Sequence, residues 1–259
     1  MNLPHKTILI TGASQGIGAA LARAFARYPV KLALLARSEQ KLLSLAVELN
    51  QLPGVQALPV IADISQKAAI QRAMTHIAEA FGPVDILVNN AGVGMHSPAG
   101  QMDEATARQL FDLNFWGAIA MTEAVLPEMR RRKDGLIINI SSIVGRRAMP
   151  GIGIYSASKF ALNAYSESIR VELKDENVRV VSFYPGVTVT NFGENLLTGP
   201  NKMDGKGRAK VSSAEDVARA IVRAAQKEPR DAYATLFDRF FVLGAQLAPW
   251  LMDKMLGTL

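Results

Sequence analysis

The chain has 259 residues, of which 49% are apolar and 20% are charged, and it contains no cysteine. This composition indicates a globular protein and excludes a disordered chain, disulfide bonds, thiolate catalysis and cysteine-ligated zinc. The formal net charge is +6 at pH 7, but the densest basic run, residues 130–133, follows an apolar-periodic segment and is typical of a helix C-terminus, so nucleic-acid binding is not expected.

Short strand-like runs alternate with longer helix-period segments over roughly the first 185 residues, which is typical of parallel βαβ units. The runs at 135–141 and 178–184 are almost continuously apolar, as expected for strands covered by helices on both faces. We therefore predict an α/β fold with a single Rossmann-type, doubly wound parallel sheet of about seven strands and helices on both faces. The predicted strands are residues 6–11, 31–36, 56–61, 84–89, 135–141, 178–184 and, with weaker patterning, 231–236.

We predict that residues 1–235 form one domain. The first predicted strand starts too early for a secretory signal to precede it. The longest uncharged apolar stretch, residues 240–252, is shorter than the roughly 20 residues that span a bilayer. We therefore expect a cytoplasmic protein without a transmembrane helix. Residues 196–211 lack apolar periodicity, and we interpret them as a mobile lid, with a solvated loop as the alternative.

A glycine-rich segment, residues 11–18, follows the first predicted strand and opens an amphipathic helix. Glycines allow a tight turn that approaches a ligand closely, and a helix N-terminus offers free N–H donors with partial positive charge. The segment predicts a pyrophosphate-binding turn. Its spacing differs from the GxGxxG fingerprint, so an ordinary strand-to-helix turn stays the alternative. The candidate cofactor contacts here are Gly12, Ser14, Gln15, Gly16, Ile17 and Gly18.

The end of the second predicted strand distinguishes NAD(H) from NADP(H). NAD-binding domains carry an acid here for the ribose 2′-hydroxyl, whereas this chain has Ala36 followed by Arg37. Alanine cannot hold the diol, and a guanidinium binds a 2′-phosphate through charge-assisted hydrogen bonds. We predict NADP(H) as the cofactor. A solvated arginine at a helix start is the alternative, and Gln15 is neutral where a second cation would help.

Tyr155 and Lys159 are four residues apart in a segment with helical propensity, so they share one helix face. An ammonium beside the phenol favours the phenolate, so we expect the pKa of Tyr155 to fall below its usual value of about 10. Ser142 closes the fifth predicted strand at the carboxyl edge of the sheet, where open α/β folds bind ligands. Its hydroxyl can donate to a carbonyl oxygen that gains negative charge as hydride arrives. Each feature alone is common, and their combination points to proton transfer at a carbonyl.

In this combination the sequence resembles the short-chain dehydrogenase/reductase family over residues 5–230. The resemblance implies a catalytic tetrad in which Tyr155 is the general acid in reduction. Lys159 would lower the pKa of Tyr155 and bind the nicotinamide ribose, Ser142 would polarise the carbonyl, and Asn114 would hold a water molecule. The motifs that occur in the order of the family are residues 11–18, Asp63, residues 89–92, Asn114, Ser142, Tyr155, Lys159 and the pair Pro185-Gly186.

The resemblance also implies the remaining cofactor contacts. The family usually has a branched apolar residue that contacts the carboxamide at the position of Thr188, which departs from this pattern, whereas Thr190 matches it. The implied contacts are Asp63 and Ile64 beside the adenine, Asn89, Ala91 and Gly92 along the cofactor, Tyr155 and Lys159 near the nicotinamide, and Pro185, Gly186, Thr188 and Thr190 at the carboxamide.

The implied function is hydride transfer between NADP(H) and a carbonyl or secondary alcohol in a homodimer or homotetramer. A non-catalytic NADP(H)-binding protein is one alternative, against which the intact tetrad argues, and a peripheral membrane protein is the other. Epimerase and dehydratase branches also occur in such a family, since a fold does not determine a reaction. No metal is expected, because the three histidines show no metal-ligand spacing.

The residues expected around the substrate follow strand ends, at 93–100, near Ser142 and at 186–211. Arg146 and Arg147 could attract an anionic substrate there, and solvated arginines are the alternative.

Residues 236–259 form an apolar extension that departs from the short ending common in the family. The pattern predicts an amphipathic helix pair. Core or dimer packing, a cover over an apolar pocket, and an anchor on a membrane surface are the three placements considered. A similar tail occurs in members that resemble hydroxysteroid dehydrogenases, which gives the hypothesis of a lipophilic substrate. The apolar positions are Phe240, Leu243, Leu247, Trp250 and Leu251, and the charges expected opposite them are Asp238, Arg239, Asp253 and Lys254.

Overall fold

The computed structural model describes residues 1–190, 192–193, 196–197 and 211–257. The strands within these residues are β1 (Thr7–Thr11), β2 (Lys31–Ala36), β3 (Gln56–Ile61), β4 (Ile86–Asn89), β5 (Gly135–Ile140), β6 (Val178–Tyr184), β7 (Thr188–Val189), β8 (Ser212–Ser213) and β9 (Asp231–Tyr233). Seven of these described strands form one sheet in the order β3-β2-β1-β4-β5-β6-β9, and all neighbours are parallel. The short strands β7 and β8 pair with each other. The predicted α/β fold is confirmed.

Helices cover both faces of this sheet. They are α1 (Gly16–Phe25), α2 (Glu39–Asn50), α3 (Lys67–Phe81), α4 (Glu104–Phe111), α5 (Gly117–Arg132), α6 (Gly153–Glu172), α7 (Ala214–Lys227), α8 (Leu236–Leu247) and α9 (Pro249–Leu256). Ile8 and Ile10 of β1 join an apolar cluster with α1, α2 and α7, whereas Leu9 joins a cluster with α3, α5 and α6. Successive side chains of a strand point to opposite faces, so a strand buried on both faces is apolar throughout.

Two predicted strands end earlier than expected. β5 stops at Ile140, and Ser142 lies beyond it as the N-cap of a short 3₁₀ turn (Ile143–Gly145). The last strand of the sheet is three residues long, because Thr235 is the N-cap of α8 and forms a capping box with Asp238. A capping side chain satisfies the backbone N–H groups of a first helical turn, so the helix begins where the strand was expected to continue.

The basic run at 130–133 lies at the C-terminal end of α5, as predicted. Arg130 pairs with Glu176 at 2.7 Å, and Arg132 pairs with Asp85 at 2.7 Å. At least two of these cations therefore form ion pairs with acids on neighbouring segments.

The C-terminal extension forms the predicted helix pair, but its apolar stripe points away from the rest of the protein. Phe240, Leu247 and Trp250 are 67%, 84% and 71% exposed, whereas Val242 and Ala245 on the other side of α8 are buried. The prediction that the stripe packs in the core is therefore wrong, because the side of α8 that carries the smaller residues Val242 and Ala245 is the buried one. Val242 joins the apolar cluster that contains Tyr155, so a cover over an apolar pocket stays a prediction for the inward side of α8. Among the described residues, no helix has the length and apolarity required to cross a membrane.

Asp238, expected on the solvent side of α8, is only 3% exposed. Its Oδ2 accepts hydrogen bonds from the N–H and the hydroxyl of Thr235, at 3.0 and 2.8 Å. Gly186 packs against the same carboxylate, since a Cβ on Gly186 would lie 2.1 Å from Asp238 Oδ1. Burial raises the pKa of Asp238, and these hydrogen bonds oppose the rise. A buried carboxylate is tolerated when donors satisfy it, which explains why a charged residue lies on the inward side.

Candidate active site

The glycine-rich turn after β1 presents backbone N–H groups at the start of α1. Gly12 and Gly16 have φ angles of +66° and +55°, a region that glycine adopts without steric cost. A Cβ on Gly18 would lie 2.1 Å from the carbonyl oxygen of Gly12. The N-cap residue Gln15 makes no side-chain cap, and the first turn contains no acid. The first turn of α1 therefore places no carboxylate of its own at these N–H groups, and the turn fits a pyrophosphate.

A cavity of about 620 Å³ opens beside this turn. Ser14, Gln15 and Gly16 line it together with Thr190, so the cavity reaches the segment after β7. Ser142, Tyr155 and Lys159 are not among its lining residues, and it is therefore adjacent to the turn rather than at the proton-transfer group. The side chain of Ile17 packs against the apolar cluster of α1, which leaves its backbone as the part available to a ligand.

The side chain of Asn89 belongs to the interior, so the predicted contact of this residue with the cofactor stays a prediction for its backbone. It is 3% exposed, and its Nδ2 donates to Thr122 Oγ1 at 3.1 Å and to Asn139 Oδ1 at 2.8 Å. The direction of the side chain follows from the register of the sheet, because Asn89 on β4 lies opposite Asn139 on β5. The side chain is held between two buried elements and is directed toward α5.

The neighbouring Asn90, which the sequence analysis did not single out, supports the glycine-rich turn. Its Nδ2 donates to the carbonyl oxygens of Thr11 at 2.9 Å and Gly12 at 3.2 Å. The hydroxyl of Thr11 in return accepts from the N–H groups of Asn90 and Ala91, both at 3.0 Å. The first turn and the Ala91-Gly92 turn therefore form one hydrogen-bonded unit. An asparagine directly after a strand of the sheet was the signal that could have found it.

Arg37 and Asp63 lie close together at the carboxyl ends of β2 and β3. Arg37 Nη1 is 3.8 Å from Asp63 Oδ2, and the Arg37 side chain is 66% exposed. Asp63 Oδ1 accepts from the Ser65 hydroxyl at 2.8 Å, which orients the carboxylate. An exposed pair at this distance is weak, so the guanidinium can turn toward a phosphate. Ile64 is buried, and its Cδ1 would lie 2.9 Å from a Cβ on Gly117, so its side chain packs on α5 rather than toward a ligand.

A second cation lies near Arg37 and was missed by the sequence analysis. Lys41 on α2 donates from Nζ to Gln15 Oε1 at 2.8 Å. Its ammonium is therefore beside the glycine-rich turn, where the neutral Gln15 supplies no charge. The four-residue spacing of Arg37 and Lys41 was visible in the sequence, but only the packing of α2 shows which residue Lys41 contacts.

Ser142, Tyr155 and Lys159 are brought together at the carboxyl edge of the sheet. Ser142 follows β5, and its hydroxyl forms a hydrogen bond with Tyr155. Lys159, four residues after Tyr155 on α6, is 4% exposed and lies with Nζ 5.8 Å from the centre of the Tyr155 ring. The Lys159 ammonium donates to the carbonyl oxygen of Ile140 at 3.0 Å. The predicted juxtaposition of these three side chains is present in the structure.

The expected direction of the Tyr155 pKa is wrong for this structure. Burial raises the pKa of Tyr155 to about 12, and the hydrogen bond with Ser142 only partly opposes the rise. Burial likewise lowers the pKa of Lys159 to about 8. Loss of water disfavours both charged forms, and the ammonium is directed toward Ile140 rather than toward the phenol oxygen. The phenol is therefore a protonated group at neutral pH.

Asn114 lies in a π-helical segment (Asp112–Trp116) and is 1% exposed. Its Oδ1 accepts from the N–H of Val93 at 2.8 Å, and its Nδ2 donates to the carbonyl oxygen of Val93 at 2.9 Å. A Cβ on Gly92 would lie 3.2 Å from Asn114 Oδ1 and 3.6 Å from Lys159 Nζ. The amide side chain therefore fixes the segment after β4 against the lysine. Because both polar atoms of the side chain are bonded to Val93, the water molecule implied by the family resemblance would bind another atom of Asn114.

The Pro185-Gly186 turn follows β6 and connects to the Ser142 segment. The carbonyl oxygen of Pro185 accepts from the N–H of Ile143 at 3.1 Å. The hydroxyl of Thr188 donates to the carbonyl oxygen of Gly186 at 3.1 Å. Thr190 reaches the glycine-rich turn, where its Cβ would lie 3.4 Å from a Cβ on Gly16. The segment after β6 thus passes between the predicted proton donor and the predicted pyrophosphate turn.

Apolar side chains surround the Tyr155 ring. Phe192 lies with its ring centre 5.7 Å from that of Tyr155, and Val144 and Met95 belong to the clusters that Tyr155 joins. Leu196 also approaches Gly94 from this segment. Residues 198–210 of the predicted lid lie outside the described residues.

The prediction that Arg146 and Arg147 face an anionic substrate is not met. Arg146 bonds to the hydroxyl of Tyr184 at 2.5 Å and pairs with Glu167 at 2.9 Å. Arg147 pairs with Asp253 and so connects this segment to α9. The solvated alternative is also wrong, because each side chain is at most one-fifth exposed. Arg146 supports the fold, since Tyr184 and Glu167 accept from its guanidinium, whereas among the described residues Arg147 pairs with Asp253 through Nη2 and its buried Nε has no acceptor.

A Rossmann sheet, a glycine-rich turn at a helix N-terminus and a Ser-Tyr-Lys group at one edge are typical of a Rossmann-type oxidoreductase, which is the class of protein. The sequence profile of the family described as short chain dehydrogenase matches residues 6–201. A dehydrogenase/reductase SDR family protein 7-like from Anopheles gambiae is 34% identical, over 98% of this chain and 84% of that protein.

Solved structures agree with this match. An alcohol dehydrogenase from Thermococcus sibiricus, complexed with 5-hydroxy-NADP, is 32% identical with a TM-score of 0.77, over 88% of this chain and 95% of that one. A short chain dehydrogenase/reductase from Burkholderia phymatum, in complex with NAD, has a TM-score of 0.86 at 24% identity, over 97% and 96% of the chains, and shows the shared fold. The chain belongs to the short-chain dehydrogenase/reductase family.

Proposed function

We propose that the chain is an NADP(H)-dependent carbonyl reductase, also able to oxidise secondary alcohols, with Tyr155 as the proton donor. The placement of Tyr155, Ser142 and Lys159 at the same sheet edge as the glycine-rich turn carries this proposal. The turn and Arg37 would hold NADP(H), which supplies or accepts the hydride when bound. The test is NADPH oxidation by the wild type and a Tyr155→Phe variant.

The hydroxyls of Ser142 and Tyr155 form the donor pair for a substrate carbonyl oxygen. A phenol with a pKa of about 12 is protonated at neutral pH and can donate as that oxygen gains negative charge. The buried ammonium of Lys159 would stabilise the phenolate that remains. Alcohol oxidation needs the phenolate, whose fraction rises about tenfold per pH unit below the pKa. Oxidation is therefore expected to accelerate with increasing pH.

The apolar surroundings of Tyr155 support a lipophilic carbonyl substrate. Phe192, Val144 and Met95 offer no charge to a substrate, and an apolar wall excludes water from the donor pair. A panel of ketosteroids, 3-oxoacyl thioesters, aldehydes, quinones and sugars measures this directly. We expect turnover with the lipophilic carbonyls, and turnover confined to sugars would contradict the assignment.

Arg37 and Lys41 support a preference for NADP(H), and the relative from Thermococcus sibiricus was solved with an NADP derivative. We expect the wild type to bind NADPH more tightly than NADH. Arg37→Ala should weaken NADPH binding about tenfold or more, as expected for loss of a charge-assisted contact, with little change for NADH. Lys41→Ala should act in the same direction with a smaller effect. Fluorescence titration of both cofactors measures the ratio.

Arg223→Ala is the matched control for these variants, because Arg223 is an exposed cation on α7 and does not line the cavity beside the glycine-rich turn. It should leave the NADPH to NADH ratio unchanged. Equal or tighter binding of NADH by the wild type would refute the NADP(H) assignment.

We propose that the exposed stripe of α8 and α9 pairs with a second copy of the chain. At about 200 Å² per large side chain, the stripe exposes on the order of 800 Å² of apolar surface. That area is comparable to one side of a standard protein interface, about 800 Å², and larger than most apolar patches on monomers. The stripe consists of Leu236, Phe237, Phe240, Leu243, Leu247, Trp250 and Leu251, which are 41–84% exposed.

The cytoplasmic location stays a prediction.

Sedimentation of a Phe240→Ser, Leu247→Ser, Trp250→Ser triple variant tests this pairing. We expect a wild-type oligomer and a lower mass for the variant, because the apolar area that drives association is removed. Val171→Ser, at a position 75% exposed on α6, should leave the mass unchanged. A monomeric wild type would contradict pairing, and its co-sedimentation with anionic vesicles would then identify a membrane surface as the partner.

A further inference from the structure

The carboxylate of Asp238 connects the C-terminal extension to the turn after β6. Asp238 is the third residue of α8 and is 3% exposed. Its Oδ2 accepts both hydrogen bonds from Thr235, while the backbone of Gly186 contacts the same carboxylate. A Cβ on Gly186 would lie 2.1 Å from Asp238 Oδ1. Glycine is therefore required at 186 by the carboxylate that packs against it.

The Pro185-Gly186 turn, which Asp238 contacts, is also hydrogen-bonded to the candidate active site. Its Pro185 carbonyl oxygen accepts from Ile143, the residue after Ser142, at 3.1 Å. Its Gly186 carbonyl oxygen accepts from the Thr188 hydroxyl at 3.1 Å. The turn is thus held from one side by the Ser142 segment and from the other by a helix of the extension. A shift of the turn would move both neighbours.

We infer that Asp238 is a positioning residue that fixes the Pro185-Gly186 turn through its contact with Gly186, so that the C-terminal extension is part of the catalytic unit. The inference rests on the proposed function for its kinetic consequence. A residue that only caps the helix would bond to Thr235 at the N-terminus of α8 and to no other segment. The contact with Gly186 is what distinguishes Asp238 from such a cap.

The chain provides a matched control in Asp216. Asp216 occupies the same third position of α7, its Oδ2 accepts from the Ser213 hydroxyl at 2.8 Å, and its own N–H donates to that hydroxyl at 3.0 Å. Unlike Asp238, Asp216 is exposed on the surface. Asp216→Asn and Asp238→Asn therefore perturb comparable capping pairs, and only the second changes a group that contacts the turn.

Hydrogen exchange of residues 185–190 tests the inference on the protein alone, without cofactor. Asp238→Asn is expected to speed exchange there about tenfold, the effect of weakening one hydrogen bond to a charged group, while Asp216→Asn leaves it unchanged. The same variant should raise the NADPH Kd and lower kcat by a similar factor. Unchanged exchange at 185–190 in a folded Asp238→Asn protein would overturn the inference.

A second pair of variants keeps the test independent of overall stability. Gly186→Ala places a methyl group against the carboxylate, and Asp238→Ala removes that obstruction. The double variant should bind NADPH more tightly than Gly186→Ala alone, because the free-energy effects of substitutions at two residues in contact are not additive. Additive losses would overturn the inference. A wild type that neither binds NADPH nor reduces a carbonyl would reject the proposed function, whereas the exchange result would still decide the role of Asp238.

Discussion

Replacing Tyr155 with phenylalanine is expected to lower carbonyl reduction by about 10²–10⁴-fold, the usual contribution of a general acid. The substitution removes the hydroxyl that bonds to Ser142 and leaves the ring that packs beside Phe192. The NADPH Kd should change little, because the ring implied to lie near the nicotinamide is kept and the proposed pyrophosphate and 2′-phosphate contacts are made by other residues. Steady-state kcat with the best carbonyl of the panel and a fluorescence titration of NADPH measure the two quantities.

Tyr165→Phe is the control for this variant. Tyr165 is on the same helix, and its hydroxyl donates to Glu123 Oε1 at 3.1 Å, away from Ser142. Its loss should leave turnover close to that of the wild type. Undiminished turnover of Tyr155→Phe would reject the proton-donor assignment. A wild type that binds NADPH but reduces no member of the panel would instead favour the non-catalytic NADP(H)-binding alternative.

Gly18→Ala is expected to weaken NADPH binding by about 10²-fold or more. The new Cβ would lie 2.1 Å from the Gly12 carbonyl oxygen and 2.8 Å from Asn90 Nδ2, so the turn must open. Opening it moves the N–H groups at the start of α1, each of which contributes about 1.5–3 kcal/mol in a hydrogen bond to a charged ligand. Overpacking of this kind also destabilises a fold by about 1–3 kcal/mol. Titration of NADPH and thermal unfolding measure the two effects.

Gly244→Ala makes the same chemical change in an open position. Gly244 lies within α8, and a Cβ there would meet nothing within 4 Å among the described residues. The substitution should stabilise the protein by roughly 0.5–1 kcal/mol, because alanine is the better helix former, and should not alter NADPH binding. If Gly18→Ala bound NADPH like the wild type, the turn after β1 would not be the pyrophosphate site.

The candidate site illustrates where prediction from sequence stops. Asn89 and Asn90 are chemically identical neighbours, and only the pairing of Asn89 with Asn139 across β4 and β5 directs one inward and the other to the turn. The direction in which the pKa of Tyr155 shifts depends on how far the fold removes water from the phenol, and the i,i+4 spacing of Tyr155 and Lys159 does not give this burial. The position of Lys41 beside Gln15 depended on how α2 packs against α1.

The sequence by itself determined the parallel sheet, the glycine-rich turn and the shared helix face of Tyr155 and Lys159. Each of these follows from apolar periodicity or from steric limits that act between residues close in the chain. The tertiary structure alone decided which side of α8 is buried. Val242 and Ala245 face inward there, together with the carboxylate of Asp238. The carboxylate is tolerated inside because Thr235 donates to it and the distant Gly186 packs against it. The large apolar residues therefore lie on the outer side of the helix.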